Sequence, residues 1–233
     1  MLDMGSETEK HLSGVLAQAK RDDIPFRHWN LRDVLPAAMA EEFAAMNALV
    51  PEIGGGTRAA VNSQRCFLSV ENRFHFPFCA ELAAALQSPA IVSELSTLCE
   101  VDLDGSYLRI EFCQDQDGFW LEPHTDIGAK LFTAQIYLTH KQADEQLGTD
   151  LLDSEHNLVV RKEGAFNTGT IFVPSSDTWH AFGRRKISGL RRSLIVNYVS
   201  PEWLSRHELA FPDECVRTGS SSLFTRLRKR LVT

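Results

Sequence analysis

Apolar positions in this chain change their period near residue 104, and the change separates a helical part from a part built of strands. Leu35, Met39, Phe43, Met46 and Val50 recur at steps of three or four, which places them on one face of a helix. Pro36 suits the first turn of that helix, where its missing N–H costs nothing. Phe76-Pro77-Phe78 leads into an alanine- and leucine-rich helical stretch from Ala80 to Gln87. Ser88-Pro89 ahead of Val92, Leu95 and Cys99 gives a further helix with its own start signal. Gly54-Gly55-Gly56 marks a flexible loop able to border a site.

Beyond residue 104 the period is two. Tyr107, Arg109 and Glu111 alternate with Leu108, Ile110 and Phe112. Phe132, Ala134, Ile136 and Leu138 form the apolar face of a second strand, leaving Thr133, Gln135 and Tyr137 on a face that lines a cavity. The apolar run Thr170 to Pro174 predicts a strand that carries His180 to its rim. In Arg191 to Tyr198, Leu194 and Val196 share the face of Arg192, while Arg191, Ser193 and Asn197 point inward.

Helices followed by many short strands predict a mainly β protein with flanking α, a double-stranded β-helix (a cupin-like jelly roll) with N-terminal helices packed on the sheet. The 233 residues are read as one domain: about 1–103 mostly helical, about 104–200 the jelly-roll core, about 201–233 a C-terminal extension. Within the extension, Gly219-Ser220-Ser221-Ser222 reads as a linker. Leu223, Leu227 and Leu231 beyond it give a short basic amphipathic helix that docks on the domain, a partner or an anionic surface. The polar segment Lys141 to Asn157 is a long loop or hairpin; its acids, His156 and neighbouring His140 read first as solvated turn residues and second as substrate contacts.

Composition narrows the class. Hydrophobic content of 43% and charged content of 24% are those of an ordinary globule. A net charge of -7 argues against a general nucleic-acid binder, since phosphate affinity comes from positive surface. The five cysteines are widely spaced with no C-x-x-C pair, which fits small buried groups in a reducing compartment. The acidic amino terminus lacks the basic start and apolar stretch of a signal peptide, and no apolar run reaches the ~18 residues of a membrane span. A cytoplasmic protein without a membrane partner is the expectation.

The candidate chemistry sits at His124-Thr125-Asp126. On an extended strand end the first and third side chains point to one side, so His124 and Asp126 can hold one ion together. His180, after Trp179, is the candidate second imidazole. Two imidazoles and one carboxylate on one face of a metal leave the opposite face open, the arrangement of non-haem Fe(II) oxygenases, although a zinc hydrolase can use the same set. Arg191 is the candidate buried guanidinium, because its planar fork binds a carboxylate by two bonds as lysine cannot. Phe119 and Trp120 are candidates for a pocket wall. Arg65, Asn72, Arg73 and His75 are candidates for reading an acidic or hydroxyl-rich substrate at the cavity mouth.

His124-x-Asp126, the Lys130-x-x-Thr133-x-x-x-Tyr137-Leu138 strand, His180 and Gly189-x-Arg191-x-Ser193-Leu194 together resemble the Fe(II)- and 2-oxoglutarate-dependent dioxygenases, in particular the prolyl-hydroxylase-like branch, over about residues 104–200. The resemblance implies that His124, Asp126 and His180 bind Fe(II), that Arg191 pairs with the far carboxylate of 2-oxoglutarate, and that Tyr137 or Thr133 assists it. The interval from His180 to Arg191 is about one residue longer than the family pattern, so a slip of one residue in register would make Arg192 the anchor. Implied with the site are dioxygen as co-substrate, succinate and carbon dioxide as products, and hydroxylation of a C–H bond in a small metabolite, a sugar-containing intermediate or a protein side chain. Asp126 speaks against a halogenase, which would carry a small residue there. The competing reading is a metal-binding jelly-roll protein that only binds a ligand or catalyses without 2-oxoglutarate.

Overall fold

The apolar stripes beginning at Leu35, Ala80 and Ser88 become helices in the computed structural model, which describes residues 6–46, 62–126, 128–140 and 146–219. In chain order the elements are α1 (Glu7–Ala17), β1 (Lys20–Asp22), β2 (His28–Leu31), α2 (Ala37–Ala45), β3 (Ser63–Phe67), α3 (Val70–His75), α4 (Pro77–Gln87), α5 (Pro89–Cys99), β4 (Tyr107–Asp115), β5 (Leu121–His124), β6 (Lys130–Tyr137), β7 (Asp150–Leu152), β8 (Leu158–Arg161), β9 (Thr168–Phe172), β10 (His180–Phe182) and β11 (Arg191–Val199). Helix α2 starts after Pro36, and α5 is capped by the Ser88 hydroxyl, which accepts from the Ile91 N–H at 3.4 Å. Val50, the triple glycine and the basic stripe at 223–231 lie outside the described residues.

The strands form a seven-stranded sheet in the order β1-β2-β9-β6-β11-β4-β3 and a four-stranded sheet in the order β5-β10-β7-β8, with antiparallel pairing throughout the described strands. This is a jelly roll with helices on one face of its larger sheet. Leu108, Ile110 and Phe112 of β4, Phe132, Ala134 and Ile136 of β6, and Leu194, Val196 and Tyr198 of β11 pack with Leu12, Phe43, Leu82 and Leu95 from the helices in one core. Full burial of such a side chain is worth ~1.5–3 kcal/mol, so this layer dominates the stability of the fold.

Alternation sends the remaining residues of the same strands to the other face, toward the smaller sheet, and that face is polar. Register aligns them in rows: Arg109, Asn197, Thr133, Phe172 and His28 in one, and Arg65, Cys113, Ser193, Tyr137 and Thr168 in another. A sheet with one greasy and one polar inward face is a cradle for a polar ligand, held rigid from behind.

One expectation changes. His180 does not ride on the rim of the strand before it. Strand β9 ends at Phe172, Pro174 brings no N–H to a ladder, and Thr178 closes a turn by accepting from the Ser175 N–H at 3.0 Å. The chain therefore crosses to the smaller sheet, where His180 opens β10. The mostly helical first hundred residues also supply β1, β2 and β3, which extend both edges of the larger sheet; at three to five residues they are too short for alternation to announce them. The segment at 141–157 contributes β7, which pairs with β8 as a hairpin, Asp150 opposite Arg161, although 141–145 lie outside the description. Among the described residues no single helix is long and apolar enough to cross a membrane.

Candidate functional site

Strands β5 and β10 pair so that His124 stands directly opposite His180, and the two rings lie 4.2 Å apart between centroids. Asp126 follows two residues after the end of β5. Ligand atoms of His124, Asp126 and His180 all fall within 4.8 Å of one another, a spacing that one metal ion can bridge. Each imidazole has its Nδ1 against a main-chain carbonyl at 2.9 Å, His124 on Glu122 and His180 on Thr178. Donation from Nδ1 sets the tautomer in which Nε2 carries the coordinating lone pair, the usual outer support of a metal-binding histidine.

The carboxylate is held as firmly. Lys130 donates to Asp126 Oδ1 at 2.7 Å and the Thr133 hydroxyl to Oδ2 at 2.6 Å. Burial by itself would raise this carboxyl, but the Lys130 ammonium, the His180 ring and the two hydrogen bonds outweigh it and hold the group down to about 2. Asp126 is thus an anion at any physiological pH. A set of two imidazoles and one carboxylate suits Fe(II) and leaves coordination positions open for other ligands. Thr133 thus spends its single hydroxyl proton on Asp126.

At the far end of the same polar face Arg191 is buried, and Arg192 is half-buried on the helix side with its N–H on the Thr139 hydroxyl. Arg191 donates from Nε to the Leu147 carbonyl at 2.6 Å and from Nη1 to Asp115, its cross-strand partner, with its guanidinium carbon 4.4 Å from the Phe182 ring centre. Asp115 also accepts from Ser63 and lies 3.3 Å from Arg65 Nη2. Tyr137 donates to the Thr149 hydroxyl at 3.0 Å and accepts the Thr149 N–H at 3.1 Å. Between Arg191 and Tyr137 the Ser193 hydroxyl is buried with no hydrogen-bond partner among the described residues. An orphaned hydroxyl beside a buried guanidinium is what a missing carboxylate would satisfy, so these residues fit the distal end of 2-oxoglutarate.

Gly148 makes this corner possible. A Cβ there would stand 2.2 Å from the Lys162 carbonyl oxygen. Without it, Leu147 and Thr149 could not present themselves to Arg191 and Tyr137.

Of the other candidates, Arg65 faces the site, paired with Asp115 and over the Phe119 ring. Asn72 and Arg73 are used locally, against the Phe67 carbonyl and the Phe211 ring, and His75 is exposed. Phe119 joins Phe182, Leu147 and Ile187 behind Arg191, whereas Trp120 is exposed beneath Arg184. His140 bonds Glu41, and the His156 ring lies 4.1 Å from the Trp179 ring at a tilt of 49°. Sequence reading assigned no role to Lys130, Ser193, Asp115 or Asn197. Lys130 had a signal in lying four residues after Asp126, and Ser193 and Asn197 in sharing the inward face of Arg191, whereas Asp115 had none.

No protein-family model and no curated protein sequence matches the chain. Solved structures do. The prolyl hydroxylase of Trichoplax adhaerens, in complex with a peptide fragment of the hypoxia inducible factor oxygen degradation domain, is similar over 82% of this chain and 90% of its own, at 13% identity and a TM-score of 0.59. A Pseudomonas putida prolyl-4-hydroxylase matches over 82% and 98%, at 15% and 0.53. The non-haem α-ketoglutarate-dependent epimerase SnoN from nogalamycin biosynthesis matches over 92% and 93%, at 18% and 0.51. The fold is therefore that of the 2-oxoglutarate- and Fe(II)-dependent oxygenases, of the prolyl-hydroxylase-like kind, and it carries a His-Asp-His cluster.

Proposed function

We propose that the chain, as one catalytic unit, is a 2-oxoglutarate-dependent non-haem iron dioxygenase that hydroxylates a C–H bond of a small metabolite, a sugar-containing intermediate or a protein side chain. The observation that carries this reading is the convergence of two backbone-oriented imidazoles and one doubly hydrogen-bonded carboxylate within 4.8 Å, bonded to Thr133 of the larger sheet, whose polar face also presents a buried guanidinium and a serine hydroxyl with no hydrogen-bond partner among the described residues. His124, Asp126 and His180 would hold Fe(II). Arg191, Ser193 and Tyr137 would hold the far carboxylate of 2-oxoglutarate. Bound iron supplies oxidising power, with dioxygen consumed and 2-oxoglutarate converted to succinate and carbon dioxide. The protein contributes orientation: Lys130 and Thr133 fix the carboxylate plane, the Glu122 and Thr178 carbonyls fix the rings, and Phe182 with Leu147 holds the guanidinium in one pose.

A second reading, a metal-binding jelly-roll protein that works without 2-oxoglutarate, draws on a specific observation: Asp115 already pairs with Arg191, and Thr149 with Tyr137. Anaerobic titration with Fe(II) and 2-oxoglutarate separates the two. The dioxygenase gives a visible metal-to-ligand charge-transfer band that is lost in His124→Ala and weakened in Arg191→Ala. Metal binding without any band in folded wild type rejects the dioxygenase in favour of the second reading.

A further inference from the structure

The carboxylate of Asp126 stands at the end of a line of hydrogen bonds that crosses three strands. Thr133 donates to Asp126 Oδ2 at 2.6 Å. Asn197 Nδ2 donates to Thr133 Oγ1 at 2.9 Å. Arg109 Nη1 donates to Asn197 Oδ1 at 3.0 Å. Register explains why these three meet, since Asn197 of β11 lies opposite Arg109 of β4 on one side and Thr133 of β6 on the other.

The direction of every donor is forced. A guanidinium only donates, so it selects the oxygen of the Asn197 amide and turns the amide nitrogen toward Thr133. A hydroxyl that accepts from an amide on that side keeps its own single proton for the other side, where a carboxylate, acceptor only, waits. Arg109 itself has no freedom to leave. Its Nε donates to Glu208 at 2.6 Å, Nη2 lies 2.9 Å from Glu111, and the group sits against the rings of Phe67 at 4.7 Å and Trp203 at 5.2 Å. With all three nitrogens engaged and the side chain only 8% exposed, Arg109 is spoken for by the protein and is not a cation waiting for substrate.

We infer that Asn197 is a positioning residue for the metal centre: the amide, oriented by Arg109, directs the Thr133 proton onto Asp126 and so fixes which carboxylate lone pairs face the ion. The inference rests on the metal-site reading above and adds a residue that touches neither ion nor co-substrate. Asn197→Asp keeps the shape and the acceptor for Arg109 but removes the donor. Thr133 can then give its proton to either carboxylate, and Asp126 loses its fixed hydrogen bond.

The test is a double-mutant cycle on Mn(II) affinity, read from the free-ion electron paramagnetic resonance signal, with wild type, Asn197→Asp, Thr133→Val and the double variant. Asn197→Asp is expected to weaken binding roughly tenfold, at the lower end of outer-shell effects, and Thr133→Val by a similar factor. In the Thr133→Val background Asn197→Asp should weaken binding no further. The new charge attracts the ion equally in both backgrounds, so the cycle removes its through-space effect. The visible bands of the Co(II)-loaded protein should shift alike in both single variants, while melting of the metal-free proteins reports folding. If Asn197→Asp fails to fold, Asn197→Leu takes its place, since it too leaves Thr133 undirected. Losses that multiply in the double variant, so that the cycle shows no coupling between the two positions, overturn the inference while leaving the metal site standing. A wild-type chain that binds no Mn(II) overturns both.

Discussion

Replacing Asp115 by asparagine tests the charge arrangement at the far end of the site. Asp115 has no exposed side-chain surface and lies between Arg191, itself 4% exposed, and Arg65, 17% exposed. Asparagine keeps the shape but leaves two guanidiniums without the carboxylate between them. Removing one partner of a buried pair costs ~3–5 kcal/mol, because the remaining charge stays desolvated. Here the lower end applies: Arg65 keeps Glu111 at 3.9 Å and some water, and Arg191 keeps the Leu147 carbonyl and the Phe182 ring. The expected loss is about 3 kcal/mol, or a melting point lower by ~6–12 °C for a chain of this length. Urea unfolding followed by tryptophan fluorescence measures it as a lower midpoint at unchanged slope. The dicarboxylate 2-oxoglutarate should also raise the melting point of the variant more than that of wild type, by returning a carboxylate to Arg191. A loss below ~1 kcal/mol would refute the reasoning, since a carboxylate that anchors two buried cations cannot be so cheaply neutralised.

Other outcomes follow from the same geometry. Mn(II) at a hundred times its dissociation constant should stabilise wild type by ~2.7 kcal/mol, raising its melting point by ~5–11 °C, and His180→Ala should abolish the rise in a thermal-shift assay. In the metal-free protein Asp126 is held down to about 2, below its unfolded value near 3.8, so it contributes stability that is complete above ~pH 5 and is lost as pH falls toward 2. That contribution is ~2 kcal/mol, and Asp126→Ala should flatten this part of an acid-unfolding profile. Burial pushes the thiol of Cys66 up to about 11 and those of Cys79, Cys99 and Cys113 up to about 12, so at pH 8 a disulfide reagent should titrate about one thiol of the native protein, at half-buried Cys215, and all five after unfolding. Tyr198→Phe strips the Leu86 carbonyl of a buried donor at 2.6 Å and should cost ~1–3 kcal/mol by urea unfolding without moving metal affinity.

Much of the molecule was legible because period and face are local properties. The stripe from Leu35 to Phe43 and the alternation from Leu108 to Phe112 each place a side chain on one face within a few residues, and the structure buries them there. The same logic set Arg191, buried, apart from half-buried Arg192. His124 and Asp126 converge because they are two residues apart. The short strands at both sheet edges stayed hidden, since β1 and β2 gain their definition from β9 and one another and not from their own pattern.

What the sequence by itself determined, then, is the face each side chain takes and the residue types able to hold an ion. Tertiary structure alone decided who stands beside whom. His180 meets His124 because β10 crosses to pair with β5, Asp115 meets Arg191 because β4 lies beside β11, and Asn197 joins Arg109 to Thr133 because β11 runs between β4 and β6. The physical reason is register: neighbours across a sheet are fixed by hydrogen bonds between strands distant in the chain, and a slip of one residue would turn every one of these side chains to the opposite face.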